Sequence, residues 1–200
     1  MLVASLLGWP APLLPIQLLW INLVTDGLPA LALSLEPPEP GIMNRPPRRS
    51  GASILSWRLG FVILIQGFLV GLVGIFAFGM SMQHAPDNVD RARAMTFCVV
   101  VYAELFRALA ARSSTLTIGQ LGFWTNPQLI LAIVVSGLLQ VSVAVFPFTQ
   151  SVFDVPAHSM GEWSIIVVLA LTPVTVIEVF KLISQRFRTD REVVMPGILP

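Results

Sequence analysis

The chain has 200 residues, of which 55% are hydrophobic and only 12% are charged, and its formal net charge is +1. Soluble domains average about 25% charged residues, so the composition excludes an ordinary soluble fold. The near-neutral charge also argues against nucleic acid as a partner. Long apolar stretches recur along the whole sequence, which is typical of helical proteins that cross a membrane several times. We therefore predict an all-α, polytopic bundle embedded in membrane lipid.

Five apolar segments are predicted to span the membrane, each close to the length of about 20 residues that a spanning helix needs. In chain order they cover residues 12–35, 59–82, 94–111, 128–148 and 163–183. Residues 36–56 form a proline-rich connector between the first two, and its prolines exclude a regular helix. All 200 residues are predicted to belong to one membrane domain.

Basic residues are concentrated on one side of the predicted membrane. That side holds Arg112, Lys181 and the arginines of the connector, whereas the other side holds only Arg91 and Arg93. Cytoplasmic loops carry the excess of Lys and Arg. We therefore expect the connector 36–56 and the C-terminus to face the cytoplasm.

The first segment contains the stretch LLWINLVTDGLPALAL, which carries Asn22, Thr25 and Asp26 in its middle. Their spacing of i, i+3 and i+4 places all three on one face of a helix. Gly27 weakens the helix, and Pro29 cannot donate a hydrogen bond to the carbonyl four residues back, so the helix is predicted to be unwound between Thr25 and Pro29. Freed carbonyls beside a carboxylate are ligands that hard cations prefer, and unwound membrane helices coordinate ions in transporters. We predict one wall of a cation site.

The residues alone leave alternatives open for the intramembrane charges. In one, Asn22 and Thr25 hydrogen-bond a neighbouring helix and Asp26 pairs with a cation such as Arg107. A charge at bilayer depth nevertheless costs about 2.5–3.5 kcal/mol and marks a functional candidate. Glu104 either forms a local ion pair with Arg107, three residues later, or faces Asp26 and completes the cation site.

Four further features have simpler expected roles. Cys98 is expected to be a packing residue. Glu178 is expected either to pair with Lys181 one turn later or to cap the packing at that end, and no ligand role is assigned to it. The loop residues His84 and His158 are expected to be solvated. Gly67, Gly71 and Gly74, which include the GFLVG pattern, are expected to allow close helix packing.

The stretch LPIQLLWINLVTDGLPALALSLEPPEPGIMNRPPR, with AELFRAL and PVTVIEVFK further on, resembles the C-terminal membrane region of type II P-type cation-transporting ATPases. The resemblance is to the calcium-pump branch, which includes the sarco/endoplasmic reticulum calcium ATPase. It implies that the five segments are equivalent to the sixth to tenth helices of the pump. It also implies that Asn22, Thr25, Asp26 and Glu104 are cation ligands. Arg107 departs from the calcium pump, which has a neutral residue there.

The resemblance also implies what lies outside this sequence. The family is driven by an aspartate in a DKTGT motif that ATP phosphorylates, and the 200 residues contain no such motif. No catalytic residue is therefore assigned, ATP and Mg²⁺ are expected to bind only other domains, and the chain alone is expected to bind no cofactor. The transported cation is expected to be Ca²⁺. The expected partner is the rest of the pump, its first five helices and cytoplasmic domains, in cis or as a separate chain.

A second hypothesis belongs to another class of protein. In it, the chain is a free-standing, pump-derived membrane interaction protein without transport activity.

Overall fold

The computed structural model describes residues 1–39, 42–44 and 57–194. Within these ranges every regular element is a helix, which confirms the all-α prediction. Most of the predicted connector 36–56 lies outside the described residues.

The described residues contain nine α-helices. These are α1 (Leu2–Leu6), α2 (Pro15–Trp20), α3 (Gly27–Leu33), α4 (Trp57–His84), α5 (Val89–Ala110), α6 (Ile118–Leu121), α7 (Pro127–Val145), α8 (Pro147–Phe153) and α9 (Met160–Val194). A π-helical turn, Ile21–Asp26, joins α2 to α3 without a break. Short 3₁₀ turns occupy Ile42–Asn44 and Phe123–Thr125.

Local chemistry explains where the central helices begin. The side chain of Asn88 caps α5 by accepting a hydrogen bond from the Arg91 amide at 3.0 Å. Asn126 caps α7 in the same way, through the Leu129 amide at 2.9 Å. Pro127 then takes the first position of α7, where a helix needs no amide donor. The cap at Asn126 lies where the apolar run of α7 begins, whereas the cap at Asn88 is followed by a charged first turn.

Among the described residues, four helical stretches are long and apolar enough to cross a membrane. They are Pro15–Leu33, Leu59–His84, Pro127–Val145 and Met160–Phe187, and they overlap the first, second, fourth and fifth predicted segments. The third predicted segment, 94–111, coincides with most of α5. That helix has 22 residues, about 33 Å at 1.5 Å per residue, but its charged residues distinguish it from the other four.

Helix α5 forms the centre of the bundle. It packs against α9, α4, α7 and the π-helical turn. Its residues Phe97, Cys98 and Val99 are fully buried, which confirms Cys98 as a packing residue. The charged residues Glu104 and Arg107 of this helix are partly buried.

The contact between α4 and α5 depends on Gly74. A Cβ atom at Gly74 would lie 3.0 Å from Cγ2 of Val100 on α5. A Cβ atom at Gly67 or Gly71 would meet nothing within 4 Å. The prediction of close packing is therefore right for Gly74 and wrong for Gly67 and Gly71, which point away from α5.

Candidate cation site

The first spanning helix widens where its sequence turns polar. Residues Ile21–Asp26 form a π-helical turn, and Gly27–Leu33 continue as a regular α-helix. The predicted unwinding between Thr25 and Pro29 is thus corrected in form and place: the backbone stays helical, and the distortion lies just upstream of Gly27. The physical reason is that one extra residue in the turn relieves the clash of the Pro29 ring while keeping hydrogen bonds between backbone groups.

We call the three predicted ligands (Asn22, Thr25 and Asp26) the cation wall. In the widened turn they differ in burial. Asn22 and Asp26 are exposed on the surface of the bundle. Thr25 is only 2% exposed, and its Oγ1 atom has no hydrogen-bond partner among the described residues. A π-helical turn holds more residues per turn than an α-helix, so the single face expected from α-helical spacing does not form. Two wall residues point outward, and the third points into the bundle.

A backbone carbonyl of the wide turn is bound by another helix. Ser136 of α7 donates its hydroxyl hydrogen to the Val24 carbonyl at 2.9 Å. With the five-residue spacing of a π-helix, the partner of Val24 would be the nitrogen of Pro29, which carries no hydrogen. Ser136 was not predictable from the sequence, because a serine in an apolar run 112 residues away gives no signal of this contact.

Glu104 lies on α5 and is bound locally. Arg107 Nε donates to Glu104 Oε2 at 2.7 Å, and Arg107 Nη2 contacts the same oxygen. Both side chains are partly buried, Glu104 at 18% and Arg107 at 30% exposure. The structure therefore forms the local ion pair, which is the simpler of the two alternatives for Glu104.

Arg107 also acts on Asp26. Its positive charge is the charge that interacts with the Asp26 carboxylate, although among the described residues no ion pair within 4.0 Å joins the two. The π-helical turn that carries Asp26 packs against α5, the helix that carries Glu104 and Arg107. Within the described ranges, Glu104 therefore has a direct ion-pair partner and Asp26 has none.

The described residues do not form a complete metal site on their own. No group of three or more His, Cys, Asp or Glu side chains in the described ranges is close enough to hold a metal ion. What they provide is an open set of oxygen atoms: a carboxylate, an amide and an unpaired buried hydroxyl. Such a set can bind a hard cation only when further oxygen ligands come from elsewhere.

A cluster that we call the Glu36 clamp (Glu36, Arg112 and Asn126) holds the end of α3. Arg112 Nε donates to Glu36 Oε1 at 2.9 Å, and Asn126 Nδ2 donates to Glu36 Oε2 at 2.6 Å. Asn126 Nδ2 also donates to the Ala32 carbonyl at 3.2 Å. Burial raises the pKa of Glu36, but these hydrogen bonds and the Arg112 charge outweigh it and hold the pKa below its usual value. Sequence reasoning missed this clamp because its members are 76 and 90 residues apart.

The expected pair on α9 lies at the same end of the bundle. Lys181 Nζ donates to Glu178 Oε1 at 2.8 Å and to the Ala110 carbonyl at 2.8 Å. Glu178 Oε2 accepts from the Ile118 amide at 2.7 Å. The predicted pairing of Glu178 with Lys181 is confirmed, and it fixes the segment between α5 and α7 to α9.

The opposite end of the bundle contains a buried polar network. Trp20 Nε1 donates to Gln140 Oε1 at 2.9 Å, Gln140 Nε2 donates to Cys98 Sγ at 3.5 Å, and His158 Nε2 lies 3.5 Å from the same sulfur. The His158 side chain is fully buried, so the expectation that it is solvated is wrong. The segment between α8 and α9 folds back onto α5, and this packing buries the His158 side chain. His84, by contrast, is exposed.

Comparison with known proteins gives consistent matches. Residues 10–183 match the family described as "Cation transporting ATPase, C-terminus". The chain is 38% identical over 173 residues to a calcium-transporting ATPase of Bacillus subtilis, a match that covers 86% of this chain and 19% of that protein. It is 34% identical over 187 residues to a calcium-transporting ATPase of Listeria monocytogenes, covering 93% of this chain and 21% of that protein.

A mammalian relative shows the same pattern. The calcium-transporting ATPase type 2C member 1 of Bos taurus is 31% identical over 185 residues, covering 92% of this chain and 19% of that protein. The chain thus spans about a fifth of the length of the curated relatives it matches.

Proposed function

Because this chain belongs to the family of cation-transporting ATPase C-terminal regions, we propose that it supplies one wall of the transport site in a P-type ATPase. The proposed substrate is Ca²⁺, since the relatives are calcium-transporting ATPases. In this proposal the remaining ligands, the ATP-binding site and the phosphorylated aspartate lie outside these 200 residues. The chain then holds about half of the intramembrane site and hydrolyses no ATP by itself.

The observation that carries the proposal is the exposure of Asn22 and Asp26. Both lie near the middle of the apolar stretch Pro15–Leu33 and face away from the described bundle. A carboxylate exposed to hydrocarbon is costly, and such groups face protein or a water-filled cavity in membrane proteins. Other helices of the ATPase would cover this face and surround the cation.

Thr25 and Glu104 have secondary places in the proposed site. The unpaired Thr25 hydroxyl is an oxygen available to a cation or to its bound water. Both contacts from Arg107 go to Glu104 Oε2, so Glu104 binds a cation through Oε1 or in competition with the guanidinium. An Arg107→Gln variant is therefore expected to change the apparent affinity for Ca²⁺ without removing transport.

The proposed orientation follows the distribution of basic residues. Lys181 lies at the same end of the bundle as the Glu36 clamp, which contains Arg112. We place this end, the connector 36–56 and the C-terminus in the cytoplasm, in keeping with the excess of basic residues there. The opposite end, with His158, then faces away from the cytoplasm.

The test uses a chimera in which this chain replaces the matching segment of the Bacillus subtilis ATPase. ATP-dependent uptake of ⁴⁵Ca²⁺ into membrane vesicles is measured for the chimera and for its Asp26→Asn variant. We expect uptake by the chimera and none by Asp26→Asn, because the amide removes the charge that attracts the cation. The matched control is Asp154→Asn, since Asp154 has a left-handed backbone (φ 54°) that asparagine also adopts, and its uptake is expected to be unchanged.

Two results would contradict the proposal. Normal uptake by Asp26→Asn would remove Asp26 from the site. A chimera that is inserted at normal abundance but takes up no Ca²⁺ would favour the alternative of an interaction protein without transport activity.

A further inference from the structure

Two hydrogen bonds from α7 reach the first spanning helix, one within the π-helical turn and one near the end of α3. Ser136, within α7, donates to the Val24 carbonyl at 2.9 Å. Asn126, the N-cap of α7, donates to the Ala32 carbonyl at 3.2 Å. Val24 precedes Asp26 by two residues, and Ala32 lies in the last turn of α3. The segment from Val24 to Ala32 is therefore attached at both ends to a single helix.

The attachment at Val24 lies where the backbone lacks an amide donor. The π-helical turn ends at Asp26, and Pro29 provides no amide hydrogen for the carbonyls before it. An unsatisfied carbonyl inside a membrane is costly. The Ser136 hydroxyl, on a side chain only 1% exposed, supplies a donor at this point and so stabilises the wide turn against a regular α-helix.

The attachment at Ala32 is itself rigid. Asn126 is only 1% exposed, and its Oδ1 accepts the Leu129 amide at 2.9 Å. Its Nδ2 is shared with Glu36, whose other oxygen is bound by the buried Arg112. With α3 fixed at this end, the bond to Ser136 determines how far the turn is wound.

We propose that Ser136 is a positioning residue for cation binding, which acts through the Val24 carbonyl on the winding of Ile21–Asp26. In this turn Thr25 is buried, whereas Asn22 and Asp26 are exposed. Loss of the bond lets the turn rewind towards an α-helix and moves these oxygens relative to one another. The inference rests on the proposed function, because it assumes that the cation wall binds the transported ion.

The experiment measures Ca²⁺ uptake by the chimera as a function of Ca²⁺ concentration. For Ser136→Ala we expect the half-maximal concentration to rise by about 10-fold, as for partners that orient metal ligands from outside the first coordination shell. The maximal rate is expected to stay within about two-fold, since the ligands themselves are retained. Ser136→Cys keeps the volume with a weaker donor, and we expect a smaller rise in the same direction.

The matched control is Ser142→Ala on the same helix. The Ser142 hydroxyl donates to the Leu139 carbonyl of its own helix at 2.6 Å and makes no hydrogen bond to the first spanning helix within the described ranges. We expect the half-maximal concentration to be unchanged. This control separates loss of the specific bond from loss of any serine in α7.

The outcomes distinguish the inference from the function on which it rests. An unchanged half-maximal concentration in both Ser136 variants, with uptake still abolished by Asp26→Asn, would overturn the inference alone. A reduced maximal rate without a change in the half-maximal concentration would also overturn it, because that pattern indicates a structural role. Normal uptake by Asp26→Asn, or no uptake by the chimera, would overturn the proposed function and the inference together.

Discussion

Helices α4 and α5 are adjacent in the chain and in space, yet the more apolar of the two is the less buried. The stretch Leu59–His84 of α4 has the highest mean hydropathy of the four apolar stretches, 2.5, but only 28% of its most apolar window is buried within the described residues. Helix α5 carries the Glu104–Arg107 pair and is the centre of the bundle. The more apolar helix lies outside, and the more polar one lies inside.

The difference shows what drives helix association in a membrane. Lipid is as apolar as a leucine side chain, so burying apolar surface between helices gains little, whereas packing and polar contacts between helices do stabilise the bundle. The outer side chains of α4, such as Phe61 and Leu64, therefore remain exposed. The small residues and polar groups of α5, such as Ala103 and Glu104, are enclosed.

The largest expected effect comes from removing packing atoms at the centre. Leu105→Ala in α5, where the leucine is 1% exposed, is expected to lower the free energy of unfolding by about 2–4 kcal/mol because it leaves a cavity. Leu64→Ala in α4, where the leucine is 70% exposed, is expected to change it by less than about 0.5 kcal/mol. Unfolding by SDS of the chain in mild detergent, followed by circular dichroism, measures both. Equal losses of unfolding free energy for the two variants would contradict the central position of α5 and the outer position of α4.

A smaller effect is expected at the contact between the two helices. Gly74→Leu is expected to cost about 1–3 kcal/mol, because its side chain would collide with Val100. Gly71→Leu, one turn away in α4, meets open space and is expected to be nearly neutral. The same SDS titration compares the two. A larger loss for Gly71→Leu would show that α4 contacts its neighbours through another face.

The smallest effect concerns the pH dependence of stability. Burial lowers the pKa of His158 below its unfolded value of 6.5, the Glu162 carboxylate raises it, and the Arg91 charge lowers it further. The unfolded chain therefore binds a proton more tightly, so stability is full above about pH 6.5 and falls as the pH drops below this value. We expect the midpoint temperature of thermal unfolding to be lower at pH 5.5 than at pH 7.5.

Two variants isolate the contribution of His158. His158→Gln is expected to flatten this pH dependence, whereas His84→Gln, at an exposed site, is expected to leave it as it is. An unchanged slope in His158→Gln would mean that other groups cause the loss of stability in acid.

The sequence by itself determined the helical membrane bundle, the approximate positions of four apolar spans and the polar interruption at Asn22–Asp26. These features are local: apolar run length, proline position and capping residues act within a few residues of the chain. The pairing of Glu178 with Lys181 was predictable for the same reason, since the two lie one turn apart on a single helix.

Tertiary structure alone decided the form of the interruption and its neighbours. Pro29 is incompatible with a regular α-helix, and the sequence predicted an unwound segment. The structure instead has a π-helical turn, in which Ser136, 112 residues away from Val24, donates to the Val24 carbonyl. Likewise Glu36 belongs to a proline-rich segment by sequence, yet Arg112 and Asn126 fold it against the end of α3. Contacts between residues far apart in the chain depend on how helices pack. The sequence pattern of a single helix does not indicate which residues of another helix it will contact.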